Sequence, residues 1–162
     1  MPPSATRSPP PTWPQDDAWL WGGTLDDIHT TLVHGIRSDD PDARIGEMTA
    51  FGDMGILDRA QIRDVTSYVR TLSGLEPASN VDVAKGATIF AENCAVCHGE
   101  DGKGNQALGA PNLTDRIWLY GGDIETIQAT ITHGRAGVMP AWSERLDPTT
   151  VKSLAVYVHG LG

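Results

Sequence analysis

Both cysteines of the chain stand in one stretch, Cys94-Ala95-Val96-Cys97-His98, and this stretch constrains the fold more than any other feature. Its spacing places two sulfurs on one side of a single helical turn, with an imidazole beside them. In the C-x-x-C-H pattern the two thiols add across the vinyl groups of a haem and the histidine ligates the iron. Competing metal chemistries need more sulfur. A structural zinc site takes four ligands and an iron–sulfur cluster usually four cysteines, and a second cysteine pair is absent. A thioredoxin-like pair belongs beside a βαβ pattern, which this sequence lacks. Two structural cysteines next to an unrelated histidine are the remaining alternative.

A haem iron takes a second axial ligand, and Val138-Met139-Pro140-Ala141-Trp142 offers Met139 in a loop between two expected helices. Pro140 favours an extended backbone at Met139. A methionine more commonly fills core, but the loop position favours ligation. A ligating histidine normally donates its other ring N–H to a carbonyl. The carbonyl of Pro111, in Gly109-Ala110-Pro111-Asn112-Leu113, is assigned to His98 Nδ1, and Leu113 to the haem face. Arg135 is a candidate partner for a haem propionate. Trp118 and Tyr120 are candidate N–H and O–H donors beside it. These three side chains serve equally well as a surface cation and core aromatics.

The chain repeats itself. Trp19-Leu20-Trp21-Gly22-Gly23 matches Trp118-Leu119-Tyr120-Gly121-Gly122, and Ile28, Leu32, His34 and Gly35 match Ile127, Ile131, His133 and Gly134 at the same offset. After an insertion in the first copy, Met48-Thr49-Ala50-Phe51 matches Met139-Pro140-Ala141-Trp142, and Tyr68-Val69 matches Tyr157-Val158. A two-unit array follows, in which the first unit lacks its own C-x-x-C-H. Residues 1–15, with six prolines and no acidic residue, are expected to be disordered. Residues 16–74 form the incomplete first unit, 75–81 a linker, and 82–162 the complete unit.

Helix signals are strong and strand signals absent, so the fold class is all-α. Asp82, Asp123, Asp147 with Pro148, and Asp58 with Gln61 each open a helix. Val151, Leu154, Ala155 and Val158 form one apolar stripe, and Ile62, Val65, Val69 and Leu72 another. Gly86 and Phe90 are expected to cross the last helix near Leu154 and Tyr157. The first unit, short of half its core, is expected to pack weakly.

Charge is −9, with −7 over Asp16–Ala78 and −3 over Ser79–Gly162. This disfavours nucleic acid and anionic membranes as partners. No stretch reaches the ~18–20 apolar residues of a membrane helix, and no apolar run serves as a secretory signal. Haem is attached to such cysteines after export, so the chain reads as a piece of a longer frame.

The order of a Gly/Phe helix, C-x-x-C-H, a Gly-Ala-Pro-Asn-Leu loop, a Met-Pro loop and a final Tyr-bearing helix resembles a class I cytochrome c domain. More narrowly, Phe90-Ala91-Glu92-Asn93-Cys94, Gly99-Glu100-Asp101-Gly102-Lys103-Gly104-Asn105, Trp118-Leu119-Tyr120-Gly121-Gly122 and Met139-Pro140-Ala141-Trp142 resemble the dihaem cytochrome c subunit III of cbb3-type oxidases, the CcoP or FixP family. The resemblance covers about residues 16–162. It implies a class I cytochrome c-like domain as the second repeat, preceded by an incomplete one. It also implies one covalent haem c here and two in full-length members. Cys94 and Cys97 would attach the haem, with His98 proximal and Met139 distal. The implied role is electron relay from a donor cytochrome c or membrane cytochrome complex to the other oxidase subunits, on the periplasmic side of the inner membrane, without a catalytic site of its own. The family's membrane anchor and first C-x-x-C-H are not in this sequence, so the chain reads as N-terminally truncated.

Met48 matches the family's first-domain methionine. It is an orphan, a ligand of a first haem, or, if the halves exchange methionines, the ligand of the haem on Cys94. Sequence proximity favours Met139. The alternative functions are a haem-based ligand sensor, which needs an open iron position, and a non-functional truncated fragment.

Overall fold

The computed structural model describes residues 18–162, so the expected disorder of residues 1–15 lies outside the described residues. Among the described residues the protein is helical and has no strand. The helices are α1 Leu25–His34, α2 Arg59–Leu72, α3 Val83–Asn93, α4 Ala95–His98, α5 Ile124–His133 and α6 Pro148–His159. Each long helix starts where a side chain can accept from its free N–H groups. Thr24, Asp82 and Asp123 accept from Asp27, Lys85 and Thr126. Asp58 and Gln61 close a reciprocal capping box, and Asp147 caps α6 with Pro148 at its first position. Gly35 and Gly134, at φ 75° and 69°, end α1 and α5.

The packing crosses the boundary between the sequence copies. α2 lies against α3 and α5, while α1 lies against α6. The core joins Leu57, Ile62, Val65 and Val69 of the first copy to Ile89, Phe90, Cys94, Ile127 and Ile131 of the second.

The expected crossing of α3 over α6 is therefore corrected: its partner is α2. A β-carbon at Gly86 would stand on the Asp64 carbonyl oxygen and 3.0 Å from Tyr68 Cβ. The rings of Phe90 and Tyr68 are 5.3 Å apart, whereas Tyr157 is 66 % exposed. Both helices carry the same apolar stripe, so polar side chains distinguish them. Asp64 is buried, accepts from the Asp82 N–H at 3.1 Å, and has Lys85 Nζ at 4.0 Å. Ser67 accepts from the Ala78 N–H. On α6 the position matching Asp64 is Ser153, which only bonds back to Thr149 within its own helix. The weak packing expected of the first copy is also corrected for α2, whose Val65, Thr66 and Ser67 are fully buried.

The crossing makes two stability predictions for urea unfolding. Phe90→Ala is expected to cost about 3–5 kcal/mol, and Tyr157→Ala less than ~0.5 kcal/mol. A double-mutant cycle is expected to give ~0.5–1.5 kcal/mol of coupling between Tyr68 and Phe90 and none between Tyr157 and Phe90. Coupling at Tyr157 instead would refute the observed helix pairing.

Candidate haem site

The cysteine motif forms one turn. α4 follows α3 through Cys94, whose carbonyl accepts from the Cys97 N–H at 3.1 Å and the His98 N–H at 2.9 Å. Cys94 ends α3 and precedes α4 without a side-chain capping bond, so its sulfur is free for other chemistry. The following loop folds back under His98. The Gly104 N–H donates to the His98 carbonyl at 2.7 Å, and Asn105 and Ala110 exchange bonds of 2.9 and 3.0 Å. Gly104, at φ 84°, comes too close to the Ala110 carbonyl for a side chain to fit.

That loop presents the Pro111 carbonyl to His98 Nδ1 at 3.1 Å. A carbonyl only accepts, so Nδ1 carries the proton and Nε2 keeps its lone pair. Burial pushes the His98 pKa down from 6.5, only partly opposed by the Pro111 bond. Cys94 is pushed up to about 11, chiefly by burial and secondarily by Cys97 beside it.

These groups open on a cavity of about 560 Å³, within the ~300–1,000 Å³ of small-molecule pockets. Its walls are mostly apolar, including Val69, Phe90, Leu113, Ile127 and Ile131. Trp118 and Tyr120 line it too. Trp118 Nε1 is buried with no hydrogen-bond partner, and a buried orphan donor calls for an acceptor that the protein does not supply. The Arg135 guanidinium carbon sits 4.0 Å from the Tyr120 ring centre, and Nε and Nη2 donate to Thr130 Oγ1 at 3.1 and 2.9 Å. The volume, the apolar wall, the paired thiols, the free Nε2 and the orphan indole all fit a haem with ionised propionates.

The cavity brings together Cys94, Cys97, His98, Pro111, Leu113, Trp118, Tyr120, Arg135 and Met48, but not Met139. The backbone sets Met139 apart from His98, with which it was expected to pair. Met48 and Arg135 exchange N–H to carbonyl bonds of 3.0 and 3.2 Å, and Phe51 donates to the Ile131 carbonyl at 3.0 Å. The Met48 loop thus runs along the end of α5. Met139 exchanges bonds of 2.9 Å with Ile36, and Trp142 donates to the Leu32 carbonyl, so the Met139 loop lies on α1. Each methionine loop therefore sits on the helix of the other copy.

Sequence reasoning missed Trp21, Arg37, Phe51 and Ile56, all first-copy residues on the cavity. The only signal for them was the exchange of methionines, from which a first-copy wall would have followed.

The chain matches the family described as cytochrome c oxidase, cbb3-type, subunit III over residues 81–158. It is 60 % identical over 147 residues to the FixP subunit of the cbb3-type oxidase from Bradyrhizobium sp. (strain ORS 278), covering 91 % of this chain and 51 % of that protein. The FixP subunit of Azorhizobium caulinodans is 62 % identical over 147 residues, at 91 % and 50 % coverage. The CcoP subunit of Cereibacter sphaeroides is 56 % identical over 148 residues, at 91 % and 51 %. Residues 81–158 belong to the cbb3-type cytochrome c oxidase subunit III family. The chain spans about half the length of these curated relatives. Membership implies a covalently bound haem c. No helix among the described residues is long and apolar enough to cross a membrane.

Two chemical tests on the haem-free chain follow. Iodoacetamide is expected to modify half-buried Cys97 well before buried Cys94; equal rates in mass-mapped peptides would contradict the buried thiol. His98, with its pKa lowered on folding, favours the native state above about pH 6.5, and that contribution is lost as pH falls towards the native pKa. Cys94 favours the native state below pH 9.0, and its contribution is lost as pH rises through about 11. The urea midpoint is therefore expected to decline on both sides, with His98→Ala removing part of the acid limb.

Proposed function

We propose that this chain is an electron carrier with one covalent haem c, attached by Cys94 and Cys97, ligated by His98 and Met48, and serving a cbb3-type terminal oxidase. The observation that carries the proposal is that Met48 shares the cavity of His98 while Met139 lies on α1. The names of the relatives supply the oxidase context. The other oxidase subunits are the proposed acceptor side and a donor cytochrome c or membrane cytochrome complex the source, on the periplasmic face of the inner membrane. A sensor would need an open iron position, and a thioether on the cavity that His98 faces argues against one.

When bound, the haem supplies a one-electron couple, whose potential a thioether ligand raises relative to a second histidine. The residues do the rest. The Pro111 carbonyl fixes the His98 tautomer and ring. Phe90, Val69, Ile127 and Ile131 exclude water, which strengthens every charge interaction inside. Trp118 Nε1 and Arg135 offer donors to a propionate.

In this proposal the repeats are completed crosswise. Met48 and α2 close the unit bearing Cys94, and α1, α6 and the Met139 loop form the counterpart half. The same exchange redraws the expected 16–74 and 82–162 division as two interlocked units.

The test is the optical spectrum of the full chain, exported with haem-attachment machinery. Met48→Ala is expected to abolish the methionine–iron band and lower the reduction potential, and Met139→Ala to leave both unchanged. Loss of the band with Met139→Ala alone would overturn the ligand assignment. Absence of covalent haem in the wild type would overturn the electron-transfer proposal.

A further inference from the structure

A second guanidinium borders the cavity. Arg37 follows α1 and lines the same space as Arg135. Its φ of 51° is left-handed, a conformation that a residue with a β-carbon holds only where its surroundings enforce it. The enforcing contacts are present. Its backbone N–H donates to the Arg44 carbonyl at 2.7 Å, its Nε to the Gly137 carbonyl at 2.7 Å, and its Nη1 to the Gly46 carbonyl. A guanidinium has five N–H donors, so these two side-chain bonds leave others free.

The charge is unanswered. Among the described residues only Arg44, Lys85 and Lys103 of the lysines and arginines stand within ion-pair distance of an aspartate, and of the cations without a carboxylate partner Arg37 and Arg135 are the two that line the cavity. Two cations and the orphan Trp118 Nε1 thus border one largely apolar cavity. A guanidinium on an apolar wall meets an anion more strongly than one in open water does. The position matching Arg37 in the second copy is Ala136, so no equivalent cation exists there.

We propose that Arg37 is a carboxylate-binding residue of the haem pocket, holding a haem propionate ionised from the first-copy side as Arg135 does from the second. The inference rests on the haem proposal above. Arg37 also grips the Gly46 carbonyl, two residues before Met48, so a purely loop-holding role must be distinguished. Loss of loop-holding would disturb the methionine–iron band. Loss of carboxylate binding would instead act on the potential and its pH dependence, because a cation beside the haem disfavours the more positive oxidised state. The other titratable groups on the cavity are Glu47, Glu92, Tyr120 and the motif residues Cys94, Cys97 and His98. None of them is altered by the substitutions below.

The experiment is redox potentiometry of the holoprotein from about pH 5 to 11, with optical spectra, for wild type, Arg37→Gln, Arg37→Lys and Arg44→Gln. Arg44 does not line the cavity; ion-paired with Asp27 and set over the Trp21 ring, it controls for loss of a nearby positive charge. Arg37→Gln is expected to lower the potential and to make it fall further with rising pH as the freed carboxylate ionises, with the methionine–iron band retained. Arg37→Lys is expected to stay near wild type until the lysine itself deprotonates near pH ~10.4, where its potential steps down and the wild type's does not. Should Arg37→Gln not accumulate as holoprotein, that alkaline step in Arg37→Lys decides the question.

A wild-type potential and pH profile in Arg37→Gln, or the missing step in Arg37→Lys, would overturn the assignment. So would the same shift in Arg44→Gln, or loss of the methionine band without a new pH dependence. Failure of the wild type to attach haem would sink the haem proposal and this one with it.

Discussion

At Gly86 two backbones touch. The carbonyl of Asp64 on α2 occupies the place where a side chain of α3 would begin, and the rest of the structure depends on that approach. It lets Phe90 reach Tyr68 and brings the Asp64 carboxylate to the Asp82 N–H, locking the start of α3. It also seats Val69 on the wall that Cys94 and His98 face. Because α2 comes from the first sequence copy, one close contact decides which methionine loop follows. The chain leaving α5 cannot return to α3, since that face is taken, and the Met139 loop is bonded to α1 instead.

The pocket is prepared by backbone more than by side chains. One turn of helix sets the two sulfurs and the imidazole, and a glycine-bearing loop carries the Pro111 carbonyl to Nδ1. A short exchange between Met48 and Arg135 fixes the opposite wall. Side chains are left for charge and exclusion of water. The two guanidiniums enter from different copies, each held by oxygens of the protein that leave further N–H groups unengaged.

Much of this was legible in the residues. The caps at Asp58, Asp82, Asp123 and Asp147 mark the helix starts because an N-cap is a local transaction within three or four residues. The motif itself and the loop after it are equally local. Illegible was the choice between two nearly identical partners. Leu154 and Val65 fit the same stripe, and Met139 and Met48 stand in matching loops. The discriminating features, Asp64 reaching Asp82 and Ser67 reaching Ala78, are contacts between segments rather than patterns within one. Arg37 was hidden for a related reason. It lies at the start of the first copy's insertion, with a counterpart, Ala136, that gives no hint of charge.

Met48 and Arg135 bond to each other, and nearly everything that encloses the cavity lies between them in the sequence. The enclosing stretch therefore closes on itself like a ring. Its order runs methionine loop, tyrosine helix, Gly/Phe helix, the Cys94–Cys97 turn, and only then the helix that ends at His133, two residues before Arg135. With Met48 as the ligand proposed above, this is a circular permutation of the class I order, cut at a different point of the same circle. The permutation shortens the tether between the two most intimate helices to residues 73–82. It also reverses a sequence of events: as the chain is synthesised, the methionine wall and α2 are present before the thiols proposed to attach the haem.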